Sequence, residues 1–543
     1  MQTLAALAPL ALLIVAMLAF NLPARRAALL ALLLLASLSI SPGVVPSAGE
    51  AWLSALPDAL LLTLTVGLTP FFGLLLHRLM DDSGALAVLL DGVRSLGRDP
   101  AQRLMWVLLV FGPLFESISG FGLAIMIVAP MLLGLGYTPS QALTLSLISQ
   151  LAVPWGALAI GMVLGATMAK LSLPMLGAAT AVLALPVHAA FWGTALWIAR
   201  PSWRAKPAGA WSLRPLAGSA AALAVFGCGI WAANRWVSPE LGGLAGPTLL
   251  AGWLLLLGGG AGEGRPPRAA LLRAAAPYLA LVAVLVATRF FDPLHEWLNQ
   301  ALVLRLPGSG FSLPLLYNPG AALAVACAVT FAVAFKVASA SGPDERGRGR
   351  GRPGAAGLKN AVLKTTALKA TVLKATVLKT TVLKGVLGQW WRVVSALFVL
   401  ILLARFMFEG GLLRALAASI TSLSGGAGAG WFIPPIAGLG GFLTGSVAGA
   451  NALFLDLQAL LAGGAGLPLL WVTAVHTLLA AGFSAMSPAR VVFAATMTGL
   501  HGQEGLAMRR LLPLAAMLLL IGAVALSPGV LAWLVRAKWL VGG

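Results

Sequence analysis

Charge is scarce in this chain, and acid is scarcest. Only 10% of its 543 residues are charged, 16 of them Asp or Glu against 36 Lys or Arg, while 59% are hydrophobic. With a mean hydropathy of +0.95, that composition excludes a soluble globular domain. Cysteine is nearly missing. Cys228 and Cys327 both sit in apolar runs, which argues against a disulfide framework and against a metal centre. No Walker-type glycine loop is present, so ATP drive has no support. Nor does any paired acidic motif or extramembrane catalytic domain point to an enzyme, a lipid-modifying one included. No basic residue precedes the first apolar run, 4–20, and Arg25 and Arg26 follow it, so it reads as a retained first span and not a cleaved signal peptide. A net charge of +20 would suggest nucleic acid in a soluble chain. Here the basic residues lie in short loops beside apolar runs, which is the positive-inside pattern, and nucleic acid is not an expected partner.

What is present is a series of apolar segments near the roughly 20 residues a spanning helix needs. The loop charges place the N-terminus outside and the basic segment 341–388 in the cytoplasm of a bacterial-type inner membrane. Two segments break the pattern. Residues 104–134 carry Glu116-Ser117-Ile118-Ser119-Gly120-Phe121-Gly122 at their centre, and residues 433–463 carry Thr444-Gly445-Ser446 and Asn451. Each arm is too short to cross, and irregular backbone survives at membrane depth only inside protein or beside a wet cavity. They read as two re-entrant hairpins, the first entering from inside and the second from outside. Each is followed by an overlong helix broken at its middle. The first, 139–169, breaks at Ser149-Gln150 and Pro154-Trp155-Gly156; the second, 467–500, breaks between Ser484 and Pro488.

The expected fold is therefore an all-α polytopic membrane protein, with about 12 transmembrane helices plus the two hairpins, in two inverted repeats. The first half spans 1–234, central helices 235–340, a basic low-complexity linker 341–388, and the second half 389–543. Within the linker, Leu358 to Lys384 repeats every five residues as LKxxx. That period advances a helix by about 500° and makes no stripe of lysines. It reads as a mostly disordered connector, with contact to anionic lipid as the alternative.

These residues resemble the L-lactate permease family. ESISGFG at 116–122 is similar to that family's EGAAGFG, and GGFLTGSVAGANALFLDLQ at 440–458 resembles its GAFLTGSxTSxNxLFxxLQ. Met486-Ser487-Pro488, followed by Gly499 to Glu504, resembles its MISPQ and G-x-x-G-x-E region. The similarity covers roughly 104–530 outside the lysine repeat. It implies proton-coupled import of lactate, glycolate and related 2-hydroxy monocarboxylates, and a two-hairpin inverted repeat like that of the wider ion transporter superfamily. The chain departs from the pattern at Ser117-Ile118-Ser119, Val447-Ala448-Gly449 and Ala489-Arg490, positions expected in the ligand shell.

A small hydroxy acid calls for amides at helix ends, hydroxyl or amide donors and one cation. The candidate ligands are Ser117, Ser119, Gly120 and Gly122 at one tip, and Thr444, Gly445, Ser446 and Asn451 at the other. Ser149 and Gln150 come from one break, Ser487 and Arg490 from the other. Close helix packing alone also explains small residues at the tips. Arg490 suits a carboxylate held by two parallel hydrogen bonds, or a place neutralising an acid or reaching the interface. Ionisable groups deep in a span are functional candidates. Glu116 is a candidate for proton coupling, for capping a helix end or for an ion pair. Asp456 and His476 are further coupling candidates, and His188 a weaker one; His501 and Glu504 read as solvated. No cofactor or metal is expected. The partners are a small organic anion, a coupling proton or sodium ion, and membrane lipid, with a homo-oligomer left open. A passive channel is the remaining alternative.

Overall fold

A computed structural model describes residues 2–20, 22–41, 44–45, 48–94, 96, 100–120, 122–150, 152–204, 214–257, 267–340 and 355–536. The described residues are almost wholly helical, as the composition requires of a chain that cannot leave backbone amides unpaired in lipid. Eight of the described helices are long and apolar enough to cross a membrane, or nine if the bent pair Pro139–Ile148 and Val153–Ala169 counts as one span. That is fewer than the twelve expected from the sequence. Gln2–Leu18 and Ala24–Ser39 have only 17 and 16 residues, short of a full crossing at 1.5 Å per residue.

Three long helices form the frame. Ala48–Asp82 packs along Ala355–Glu409 on one flank and Pro319–Ala340 on the other. Leu33, Leu53, Leu279, Leu512 and Leu520 point outward, an apolar surface that fits lipid contact. A buried ion pair ties two more helices together. Arg289 donates from Nε and Nη2 to the two oxygens of Glu240, each at 2.8 Å, and its guanidinium lies 3.6 Å from the Tyr317 ring centre.

Two features differ from the expectation. Val303–Arg305 and Ser312–Pro314 form a small antiparallel pair, with Val303 opposite Pro314, within 235–340, where only helices were expected. The lysine repeat, read as a disordered connector, has a helical backbone from Ala355 that runs unbroken into the following span and ends at Glu409. No Pro or Gly interrupts 358–384, and Leu, Lys and Ala all favour helix. The linker's first part, 341–354, lies outside the described residues.

The backbone is interrupted where the sequence places the breaks. Two of the arms, Pro100–Ser119 and Val447–Gly464, are nevertheless long and apolar enough to cross a membrane, where every arm was expected to be too short. In the first segment, Pro100–Ser119 contains a π-helical stretch, Trp106–Phe111, and ends at Gly120, after which Ala124–Gly134 returns against it. Gly120 and Gly122 have φ of +65° and +81°, which a side chain would strain. In the second, Ile433–Thr444 and Val447–Gly464 pack on each other across Gly445, at φ +64°, and Ser446. Ser446 caps the second arm by accepting from the Gly449 N–H at 3.0 Å. The first broken helix turns through 57°. Past that turn, Ala157, Leu158 and Ala159 hold φ of 39°, 53° and 61°, a run of left-handed backbone that is costly for residues with a Cβ. Trp155, wholly buried, anchors the turn by donating from Nε1 to Asn234 Oδ1 at 3.0 Å.

Candidate functional site

All four interruptions meet at Arg490. It lies in the first turn of Pro488–Thr498, two residues past the proline that restarts the second broken helix. Its Nη1 donates to Gln150 Oε1 at 2.7 Å, in the break of the first broken helix. Its Nη2 pairs with Glu116 Oε1 at 3.3 Å, in the last turn before the first interruption. Glu116 also accepts from the Gly122 N–H, at 3.3 and 3.1 Å to its two oxygens. Gly122 is tight against the guanidinium: a Cβ there would stand 3.3 Å from Arg490 Nε. The second interruption closes the ring, because a Cβ on Gly445 would stand 3.0 Å from Ser487 Oγ. Glu116 and Arg490 are 1% and 5% exposed, so each is the other's compensation. Removing either from such a buried pair costs about 3–5 kcal/mol.

Two donors in this cluster have no partner among the described residues: Arg490 Nε and Ser487 Oγ. An unmet buried donor costs about 1–3 kcal/mol. Both residues line a cavity of about 750 Å³, together with Thr444, Gly445 and Ser446 of the second tip. Ala448, Leu397, Leu400 and Phe493 form its apolar wall, and Arg25, Arg26 and Arg392 stand at its exposed end. No Asp or Glu lines it. A cleft of one sign with low-dielectric walls concentrates counter-ions, here anions.

Of the residues singled out from the sequence, Thr444, Gly445, Ser446, Ser487 and Arg490 line the cavity, and Glu116, Gln150, Gly120 and Gly122 support it from behind. The others face elsewhere. Ser117 and Ser119 return their hydroxyls to Pro113 O at 2.7 Å and Phe115 O at 2.6 Å, and Ser117 packs against Gly243. Ser149 donates to Ser146 O at 2.7 Å. Asn451 donates to Gly161 O at 2.7 Å, pinning the second segment to the first broken helix. His476 is wholly buried beside that contact, and His188 packs edge-on against Phe226 at 5.2 Å. Glu504 is exposed, its Oε1 accepting from the Gly502 N–H at 3.0 Å.

Asp456 belongs to a separate ionic cluster around Arg405. Arg405, near the end of Ala355–Glu409, donates from Nη2 to Asp58 Oδ2 at 2.8 Å, from Nη2 to Glu409 Oε1 at 2.5 Å and from Nη1 to Asp456 Oδ2 at 3.2 Å. Asp58 accepts further from Ser309 Oγ at 2.7 Å and the Gly310 N–H at 3.1 Å. The sequence reading missed Arg405 and Asp58, although both are charges inside apolar runs, the signal that flagged Asp456. It also took Arg25 and Arg26 only as loop charge and passed over Arg392.

A family model described as L-lactate permease matches residues 2–199 and 268–534. No curated protein matches the chain. With both interruptions, both broken helices and Arg490 inside the matched residues, the chain belongs to the L-lactate permease family, a family of membrane transporters and not of enzymes.

Proposed function

We propose that this protein is a proton symporter of a small 2-hydroxy monocarboxylate, lactate-like in its head group, working by alternating access. Its two interrupted segments act as re-entrant hairpins of an inverted repeat in a bacterial-type inner membrane, with the arginine-lined mouth on the cytoplasmic side. One observation carries the reading: Arg490 pairs with a buried carboxylate, Glu116, and also lines the cavity.

The exchange follows from charge balance. A substrate carboxylate entering the cavity approaches Arg490 and Ser487, whose buried, unpartnered Nε and Oγ become its first donors once the site opens around it. It then gains the adjacent Nη2, whose bond to Glu116 is the longest of Arg490's at 3.3 Å, and completes a two-bond clamp. Glu116 is left with amide donors and no cation. A buried carboxylate without a cation is far costlier than a buried carboxylic acid, so Glu116 takes up one proton as the substrate takes its place. The site holds one positive and one negative charge before and after. One proton therefore moves with each carboxylate, and neither crosses alone. The tips' Thr444 and Ser446 hydroxyls stand where a 2-hydroxyl group would meet them.

Glu116→Gln tests this in proteoliposomes. The amide keeps the shape and cannot be protonated, so accumulation driven by an imposed pH gradient should vanish while substrate exchange persists. Unchanged accumulation would remove Glu116 from coupling. A sodium-coupled carrier of the same architecture predicts instead that replacing sodium by choline stops uptake.

A further inference from the structure

The cavity's polar lining is Arg490, Ser487, Thr444, Ser446 and the exposed Arg25, Arg26 and Arg392, and the rest is apolar or glycine. Donors lie at the floor, Arg490 and Ser487, and cations at the mouth, Arg25, Arg26 and Arg392. Between them the wall is Leu397, Leu400, Ala396, Phe493 and Ala448. Leu397 and Leu400 are 5% and 3% exposed, so the apolar surface open to a ligand there is chiefly that of Ala396 and Phe493, both half-buried. A three-carbon acid held by Arg490 would project one methyl group towards it. Cavities of 300–1,000 Å³ ordinarily enclose ligands of drug size, and about 750 Å³ leaves most of this one unfilled by lactate. Water is a poor filler against such a wall, and apolar surface is a good one.

We infer that the preferred substrates are 2-hydroxy monocarboxylates with an apolar chain longer than lactate's methyl: branched aliphatic or aromatic 2-hydroxy acids. This deepens the transport reading above and rests on it. The carboxylate sits at Arg490 and Ser487, the 2-hydroxyl faces the Thr444–Ser446 tip, and the chain lies along Leu397, Leu400 and Phe493. The basic mouth carries no acid to repel the incoming anion, and it penalises a positively charged tail. A 2-hydroxy acid bearing a terminal ammonium is therefore refused.

Competition against labelled lactate in exchange assays tests the inference with a homologous series: glycolate, lactate, 2-hydroxybutyrate, 2-hydroxyhexanoate, 2-hydroxy-4-methylpentanoate and 3-phenyllactate. Each buried methylene should tighten apparent affinity about fourfold until the chain reaches the mouth. Ala396 is half-buried on the wall, and Ala396→Trp should shorten the preferred chain. It should lower the ratio of 2-hydroxyhexanoate to lactate affinity by at least tenfold. Ala396→Leu is the milder variant should the indole prevent folding, and it should move the ratio the same way. Affinity that is flat or falls beyond lactate, with lactate still exchanged, overturns the substrate class and leaves the transporter reading standing. Failure of every acid in the series to exchange, in protein that is folded by its thermal transition, overturns both.

Discussion

At the scale of single residues, Glu116 and Arg490 are each conspicuous in the sequence as charges at helix interruptions, and each was readable as a candidate. Their pairing was not. They are 374 positions apart, and no local pattern carries that information. Arg490 had three readings open to it, and the structure shows it neutralising an acid while also holding Gln150, with its Nε buried and unpartnered. This double duty depends on the guanidinium's fork, which an ammonium lacks. Arg490→Lys retains the charge beside Glu116 but cannot hold Gln150, Glu116 and an incoming carboxylate together. Losing one hydrogen bond to a charged group, about 1.5–3 kcal/mol, should weaken substrate affinity roughly 10- to 100-fold. Substrate-induced thermal stabilisation of the purified protein reads this directly; an unchanged shift would place the carboxylate elsewhere.

At the scale of elements, the breaks were legible because Pro and Gly write them plainly: Gly120, Gly122, Gly445 and Pro488 all stand at the observed interruptions. The span count was less so, since helices of 16 or 17 residues give the same apolar signal as full crossings. Three-residue strands such as Val303–Arg305 are below any periodic signal. How tightly the elements meet was also hidden. Ile433–Thr444 packs on Leu469–Ser484 through Gly441, where a Cβ would stand 2.0 Å from the Ala480 carbonyl oxygen. Backbone cannot step aside as a side-chain end can. Overpacking of this kind costs about 1–3 kcal/mol, so Gly441→Ala should lower the Tm and the transport rate together. Gly463, in the neighbouring arm, has nothing within 4 Å of its would-be Cβ, and Gly463→Ala should leave the Tm unchanged or slightly raised. Equal effects from the two substitutions would contradict the close approach.

At the scale of the whole molecule, the two ionic clusters divide the labour. The Glu116–Arg490 pair stands at the floor of a cavity whose mouth carries Arg25, Arg26 and Arg392. The Arg405 cluster ties the second segment, through Asp456, to the frame helices bearing Asp58 and Glu409. If the cavity is the cytoplasmic half of an alternating pathway, it should be reachable from that side alone. The chain is convenient for the experiment, since replacing Cys228 and Cys327 by Ser removes every native thiol. Ala489 lines the cavity next to Arg490 and is exposed to it. In that background Ala489→Cys should react with a membrane-impermeant thiol reagent applied on the Arg25–Arg26 side, and substrate should slow the reaction by occupying the space before Arg490. An imposed pH gradient together with substrate, which drives the carrier through its cycle, should raise the labelling from the opposite side. Equal labelling from both sides under all conditions would mean an open pore through the molecule, and the carrier cycle would have no closed barrier to alternate.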